Sequence, residues 1–182
     1  MKLDRHFWFW AVPVAAVVAA VICWEVWIED YPVRQFGVVE KGVLYRSGQP
    51  TEEGWRRLWD GYKIHTVINL REEEPDQDWC KLERDFCAAN GIRYVNMSIG
   101  PEHVDGDQLQ ALLQIIADPK CRPVLVHCEL GKARTGVVVA AYRIAAQHWS
   151  ADEAVRESRR YKPNMDPAYI AYLWSLSKSC QR

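Results

Sequence analysis

The chain has 182 residues, a formal net charge of −1 and an apolar fraction of 49%. This length suits one domain with its own hydrophobic core. The balanced charge argues against a basic nucleic-acid-binding protein, and the apolar content argues against a disordered one. The six cysteines form neither CxxC pairs nor a zinc-ligand pattern, so we expect mostly free thiols, no metal site and no cofactor.

An uncharged stretch covers residues 7–24. As a helix it would span about 27 Å, close to the roughly 30 Å of a bilayer's hydrocarbon core. Tryptophans lie near both of its ends, as in an interfacial aromatic belt. We expect a transmembrane helix or signal anchor over 7–28, preceded by a flank (1–6) and followed by a linker (29–35). A cleaved signal peptide is the alternative.

Charges beside this segment indicate its orientation. Lys2 and Arg5 precede it, whereas Glu25, Glu29 and Asp30 follow its apolar run. Because basic residues favour the cytoplasmic side, the sequence predicts a single-pass membrane protein whose domain lies outside the cytoplasm.

Strand and helix patterns alternate through the remaining residues, 36–182. The predicted strands are two short extended pieces within Gly37–Tyr45, then Ile64–Leu70, Ile92–Met97 and Pro123–His127. The predicted helices start after Thr51, Asp105, Ser150 and Asp166, with another ending at Asn90 and one covering Val137–Ala146. This order predicts an α/β fold with a largely parallel central sheet flanked by helices.

The segment 127–136 (HCELGKARTG) connects the most apolar strand to the most apolar helix. Ligands of open α/β sheets bind beyond the carboxyl ends of the strands. Loop amides and the helix dipole can together form a nest for a tetrahedral dianion there. The five residues between Cys128 and Arg134 would let the loop encircle one phosphate. The planar guanidinium would then hold two of its oxygens.

This arrangement predicts nucleophilic catalysis by Cys128. A helix N-terminus and nearby cations favour the thiolate form of a cysteine. The thiolate would attack phosphorus, and water would then hydrolyse the resulting cysteinyl-phosphate. Thr135 would donate a hydrogen bond to the sulfur and help it leave. The expected phosphate-binding positions are Glu129, Leu130, Gly131, Lys132, Ala133 and Arg134.

A second Cys and Arg, Cys87 and Arg93, have the same spacing. We interpret this pair as a coincidence, because Cys87 falls late in a predicted helix, lacks a preceding His and leads into a strand. The Cys128 segment is distinguished by His127, Gly131 and the Thr-Gly pair after its Arg.

The segment 127–136 resembles the HCxxGxxRTG signature of the protein tyrosine and dual-specificity phosphatase superfamily. Residues 43–50 (VLYRSGQP) and 66–71 (TVINLR) are similar to segments of atypical dual-specificity phosphatases of the plant and fungal type and their bacterial relatives. The resemblance covers about 36–160. It implies a dual-specificity phosphatase-like fold and a metal-independent phosphomonoester hydrolase with a shallow pocket, and it supports the roles of Cys128 and Arg134.

The resemblance also implies a general acid, normally an Asp from a loop before the signature strand. The corresponding loop, 100–107, has no WPD-like tripeptide. Asp105 is the first candidate, although it suits a helix N-cap equally well. Asp107, Glu102 and His103 are the other candidates.

The sequence therefore predicts a protein phosphatase that acts on phosphotyrosine or on phosphoserine and phosphothreonine. One alternative is an inositol (pyro)phosphate phosphatase, suggested by Lys132 after the loop glycine. Another is a pseudophosphatase that binds phosphate, if the acid is absent. We expect His127 to be a hydrogen-bonded structural residue and Arg71 to be a salt-bridge partner. The expected partners are a phosphorylated protein or small molecule and, through the N-terminal helix, a membrane.

Overall fold

The computed structural model describes residues 32–100 and 105–180. The expected transmembrane segment 7–28 and two acid candidates, Glu102 and His103, lie outside the described residues. Within the described ranges, every helix is too short or too polar to cross a bilayer.

Five strands form one sheet in the order β1-β2-β5-β3-β4. β1 pairs with β2 in antiparallel fashion, and the other neighbouring strands are parallel. The strands are β1 (Gly37–Glu40), β2 (Leu44–Ser47), β3 (Thr66–Asn69), β4 (Arg93–Asn96) and β5 (Val124–His127). The predicted α/β fold with a largely parallel sheet is confirmed.

Helices connect and cover these strands. They are α1 (Glu52–Tyr62), α2 (Asp78–Ala89), α3 (Gly106–Ala117), α4 (Ala133–Gln147), α5 (Ala151–Arg159) and α6 (Pro167–Cys180), with a 3-10 turn at Pro119–Cys121. α4 begins four residues before the predicted start at Val137. The apolar pattern missed its first turn, because that turn carries the polar residues Arg134 and Thr135.

The three central strands, β2, β5 and β3, are buried on both faces, which explains the uninterrupted apolar run of β5. Val124 and Val126 belong to the core cluster shared with α3, α4 and α6. Leu125, between them, belongs to the cluster on the other face, shared with α1 and α2. Successive side chains of a strand point to opposite faces. Each residue of a central strand therefore needs an apolar neighbour on one side or the other.

Side-chain caps start three of the helices where the sequence predicts them. Thr51 accepts from the Gly54 amide at 3.2 Å, and Ser150 forms a reciprocal capping box with Glu153. Asp105 accepts from the Asp107 and Gln108 amides at 2.9 and 3.2 Å. These side chains accept hydrogen bonds from backbone amides that have no partner within the first turn of a helix.

The register of the sheet brings three strand ends together. Ser47 of β2 and Asn69 of β3 both lie opposite His127, the last residue of β5. The residues that follow these strands therefore meet at one edge of the sheet, where parallel strands present their carboxyl ends.

Candidate active site

The loop from Cys128 to Lys132, called the phosphate loop below, joins β5 to α4. β5 is buried along its whole length, and Lys132 takes the N-cap position of α4. The first amides of a helix have no partner within it, and the Lys132 side chain makes no capping hydrogen bond to them. The start of α4 therefore suits an anion.

Cys128 lies at the base of this loop with 2% of its surface exposed. The Thr135 hydroxyl, in the first turn of α4, donates to Cys128 Sγ at 3.1 Å. Thr135 is fully buried. A hydroxyl donor this close stabilises negative charge on the sulfur.

Arg134 extends from the start of α4 toward the end of β3. Its Nη1 lies 3.4 Å from the Leu70 carbonyl oxygen, and its Nη2 lies 3.8 Å from the Glu129 carboxylate. The side chain is 25% exposed. A planar guanidinium that is partly exposed and held by these weak contacts can turn to bind an anion in the loop.

Two glycines bring the exit of β2 against the phosphate loop. Gly131 has a φ of +67°, and a Cβ on it would lie 2.4 Å from the Gly48 nitrogen. A Cβ on Gly48 would lie 3.0 Å from the Glu129 carbonyl oxygen. The Gln49 amide donates to that same oxygen at 2.9 Å. Such a close approach of two backbones requires residues without side chains.

His127 and Glu83 form a buried pair beneath the loop. His127 Nε2 lies 2.7 Å from Glu83 Oε1, and both side chains are 0% exposed. The side-chain amide of Gln49 donates to the other Glu83 oxygen at 3.0 Å, and the side-chain nitrogen of Asn69 lies 3.5 Å from that oxygen. The prediction that His127 is a hydrogen-bonded residue is confirmed.

Arg71 has different partners from those expected. Its Nη1 donates to Gln49 Oε1 at 3.1 Å, and its Cζ lies 3.5 Å from the centroid of the Trp79 ring. Among the described residues Arg71 forms no salt bridge. It donates a hydrogen bond to an uncharged side chain and makes a cation–π contact instead, because Trp79 offers the guanidinium a flat, partly buried surface.

The family model described as "Tyrosine phosphatase family" matches residues 31–174. The chain belongs to that family. The inositol diphosphatase SIW14 of Saccharomyces cerevisiae is 31% identical over 125 residues, which is 66% of this chain and 43% of that protein. The dual specificity protein phosphatase TpbA of Pseudomonas aeruginosa is 30% identical over 119 residues, 65% of this chain and 50% of TpbA. The chain thus spans about half the length of these two relatives.

A solved structure gives the same result. The core catalytic domain of the PP-IP phosphatase SIW14 from S. cerevisiae, in complex with citrate, matches with a TM-score of 0.69 at 27% identity. The match covers 79% of this chain and 85% of that one. The predicted phosphatase family and enzyme class are confirmed, together with the fold.

The two described acid candidates have other contacts in this phosphatase. Asp105 is exposed and caps α3. Asp107 lines a groove between α3, α4 and α6. Burial raises the pKa of Tyr172 on α6, and the carboxylates of Asp107 and Asp105 raise it further. Their assignment as general acid stays a prediction, as does that of Glu102 and His103.

Tyr169 lies between Gly100, at the start of the candidate acid loop, and Arg134. Its hydroxyl donates to the Gly100 carbonyl oxygen at 2.7 Å. Burial raises the pKa of Tyr169, while the nearby Arg134 cation opposes that shift. The start of the candidate acid loop is therefore held by a side chain that also lies near Arg134.

Sequence reasoning missed Glu83, Gln49 and Arg46 as neighbours of the site. One signal for Glu83 was available. It shares a buried face of α2 with Cys80 and Cys87, and an acidic residue at a core position of a helix needs a buried partner. Gln49 and Arg46 fall within the segment 43–50 that carries the family resemblance, but their partners depend on the pairing of β2 with β5.

The interpretation of the Cys87–Arg93 pair as a coincidence is confirmed. Cys87 lies in α2, and Arg93 begins β4. Burial raises the pKa of the Cys87 thiol to about 12, with a further contribution from the Glu83 carboxylate. A thiol in this environment stays protonated and cannot act as a nucleophile at neutral pH.

Replacing Gly131 by Ala is expected to lower the free energy of unfolding by more than about 2 kcal/mol, because it adds a steric clash to an unfavourable positive φ. Urea denaturation measures the change. Gly91→Ala is the matched control, since Gly91 has a φ of +66° and a Cβ on it would meet nothing within 4 Å. A loss no larger for Gly131→Ala than for Gly91→Ala would contradict the close contact with β2.

Proposed function

We propose that this phosphatase hydrolyses phosphate monoesters through a covalent cysteinyl-phosphate on Cys128. The observation that carries the proposal is the placement of Cys128 in a loop of amides at the start of α4, with the Thr135 hydroxyl on its sulfur. The thiolate attacks phosphorus, so that an S–P bond forms while the ester P–O bond breaks. The departing oxygen takes a proton from the general acid.

The second half-reaction releases inorganic phosphate. Water attacks the phosphorus of the cysteinyl-phosphate and gives a proton to the general acid, which lost its own in the first step. An O–P bond forms, and the S–P bond breaks to regenerate the thiolate. The Thr135 hydroxyl, 3.1 Å from the sulfur, stabilises the charge as it returns to Cys128. Arg134 and the loop amides bind the nonbridging oxygens in both steps.

The proposed substrates are phosphotyrosine and phosphoserine or phosphothreonine in proteins. A second candidate is an inositol pyrophosphate, favoured by the similarity to SIW14, which is named an inositol diphosphatase. Lys132 at the N-cap of α4 supports this candidate, because an ammonium beside the phosphate loop would attract a second phosphate group.

We also propose that residues 7–28 tether the domain to a membrane, with the domain outside the cytoplasm. The uncharged run and its terminal tryptophans support the tether, and the flanking charges support the orientation. Extraction of membranes at alkaline pH tests the tether, since an integral protein stays in the pellet. Protection of the domain from added protease in sealed vesicles of known sidedness tests the orientation.

Cys128→Ser should lower kcat on p-nitrophenyl phosphate by at least roughly 1,000-fold, because the hydroxyl is a far weaker nucleophile than a thiolate. Arg134→Lys should lower it by roughly 100- to 1,000-fold, since the bidentate fork is lost. Cys180→Ser, at an exposed thiol, serves as the control and should keep wild-type turnover. Turnover of the wild-type size in Cys128→Ser would refute the mechanism.

Asp105→Asn should slow hydrolysis of alkyl phosphates more than that of p-nitrophenyl phosphate, because a poor leaving group depends more on the acid. Asn keeps a side-chain oxygen for the cap of α3, so the melting temperature should change little. Equal rates for Asp105→Asn and wild type on both substrates would exclude Asp105. The same comparison would then be made with Asp107→Asn, Glu102→Gln and His103→Gln.

Lys132→Ala should raise KM for an inositol pyrophosphate roughly tenfold while changing KM for p-nitrophenyl phosphate less than about threefold, because only the former has a second phosphate group to contact the ammonium. Steady-state release of inorganic phosphate measures both constants. Lys120→Ala, near the opposite end of β5, is the charge-matched control. A parallel rise in both KM values would show that Lys132 contacts the reacting phosphate and gives no selectivity for pyrophosphates.

A further inference from the structure

Arg46 is a buried cation in β2, beside the phosphate loop. Only 2% of its surface is exposed. Its Nη2 donates to the Gly131 carbonyl oxygen at 2.6 Å, and its Cζ lies 3.5 Å from the centroid of the Tyr161 ring. Nε and Nη1 have no hydrogen-bond partner in the part of the chain that the structure describes.

The charge of Arg46 is not neutralised by its hydrogen bond, which goes to an uncharged carbonyl group. A buried guanidinium is costly unless an anion lies near it. Burial lowers the pKa of Arg46, and the ionised forms of Tyr161, Glu157 and Cys128 oppose that shift. Negative charge in the phosphate loop therefore stabilises the buried cation, and the cation stabilises that negative charge in return.

The bond to Gly131 also orients a loop amide. In a trans peptide the carbonyl and the following N–H point in opposite directions. The peptide between Gly131 and Lys132 is trans, so the Lys132 amide points away from Arg46 and β2. The backbone N–H of Gln49 donates to the Glu129 carbonyl. The Leu130 amide, which follows that carbonyl, therefore points away from Gln49.

Both amides therefore point away from the donors that hold the preceding carbonyl oxygens. Arg134 approaches the loop from the side of β3, since its Nη1 lies 3.4 Å from the carbonyl oxygen of Leu70, just after β3. Gln49 and Arg46, at the exit of β2, thus bond carbonyl oxygens of the loop and not its amides.

We propose that Arg46 is a positioning residue that preorganises the phosphate loop for its anion. It holds the Gly131 carbonyl so that the Lys132 amide faces the bound phosphate, and its buried charge favours the loaded loop over the empty one. This role rests on the proposed function, but it concerns a side chain that does not itself contact substrate.

The test compares wild type with Arg46→Gln and Arg46→Lys, using inorganic phosphate as the probe. The inhibition constant of phosphate against p-nitrophenyl phosphate and the phosphate-induced rise in melting temperature are both measured. Arg122→Gln is the matched control, because Arg122 also donates to backbone carbonyls, those of Ile116 and Ala117. It lies just before β5, at the end of that strand opposite the loop.

Arg46→Gln should bind phosphate about 10- to 100-fold more weakly, the loss typical of a charge-assisted hydrogen bond. Arg46→Lys should bind phosphate with an affinity between those of Arg46→Gln and wild type, because it keeps the charge but not the planar guanidinium. Arg122→Gln should keep the wild-type affinity even if its melting temperature falls. A purely structural role would lower melting temperatures without changing the rise that phosphate produces.

Wild-type phosphate affinity in folded Arg46→Gln would overturn the inference, as would equal losses in Arg46→Gln and Arg122→Gln. If Arg46→Gln does not fold, the phosphate affinity of Arg46→Lys is used instead. A phosphate affinity of Arg46→Lys equal to that of wild type would then overturn the inference. A wild-type protein that neither hydrolyses p-nitrophenyl phosphate nor gains stability from phosphate would instead refute the proposed function, and this inference with it.

Discussion

The proposed phosphate site requires several backbone amides of the loop to stay unpaired in a place where unpaired donors are costly. The molecule meets this constraint by bonding the carbonyl groups of the loop instead. The exit of β2 supplies the donors, through the Gln49 amide and the Arg46 guanidinium. Because the carbonyls of Glu129 and Gly131 are held, the amides that follow them must point in the opposite direction. The pairing of β2 with β5 therefore organises the site as directly as the Cys-to-Arg segment does.

Polar side chains brace the loop from both faces of the sheet. On the face covered by α1 and α2, Glu83 holds the imidazole of His127, the residue before Cys128. On the opposite face, Arg46 lies between the Gly131 carbonyl and the Tyr161 ring. Buried ionisable groups weaken a core unless their partners are well placed. Their position directly beside the loop is consistent with a gain in preorganisation rather than in stability.

The sequence predicted the site better where the interactions are local. The Cys128-to-Thr135 segment folds as a strand–loop–helix because an apolar strand, a glycine and an apolar helix follow one another, and Thr135 meets Cys128 from the first turn of α4. The partners of Arg46, Glu83 and Arg71 lie 85, 44 and 22 residues away. Such contacts depend on strand order and register, which hydrophobic patterns do not determine. The contacts of Arg71 were missed for a different reason: charge alone could not reveal that its guanidinium stacks on Trp79, which is close to it in the chain.

Two cysteines of this chain precede an arginine by the same interval, and the fold gives them different surroundings. Cys128 lies beside the Thr135 hydroxyl, which donates to its sulfur, and near the buried Arg46 cation. Burial of Cys87 in α2 raises the pKa of its thiol, and the Glu83 carboxylate raises it further. The same carboxylate lies 2.7 Å from the imidazole of His127, the residue before Cys128. Spacing therefore identifies a possible phosphate site, but the charges and donors assembled around the sulfur determine whether it can react.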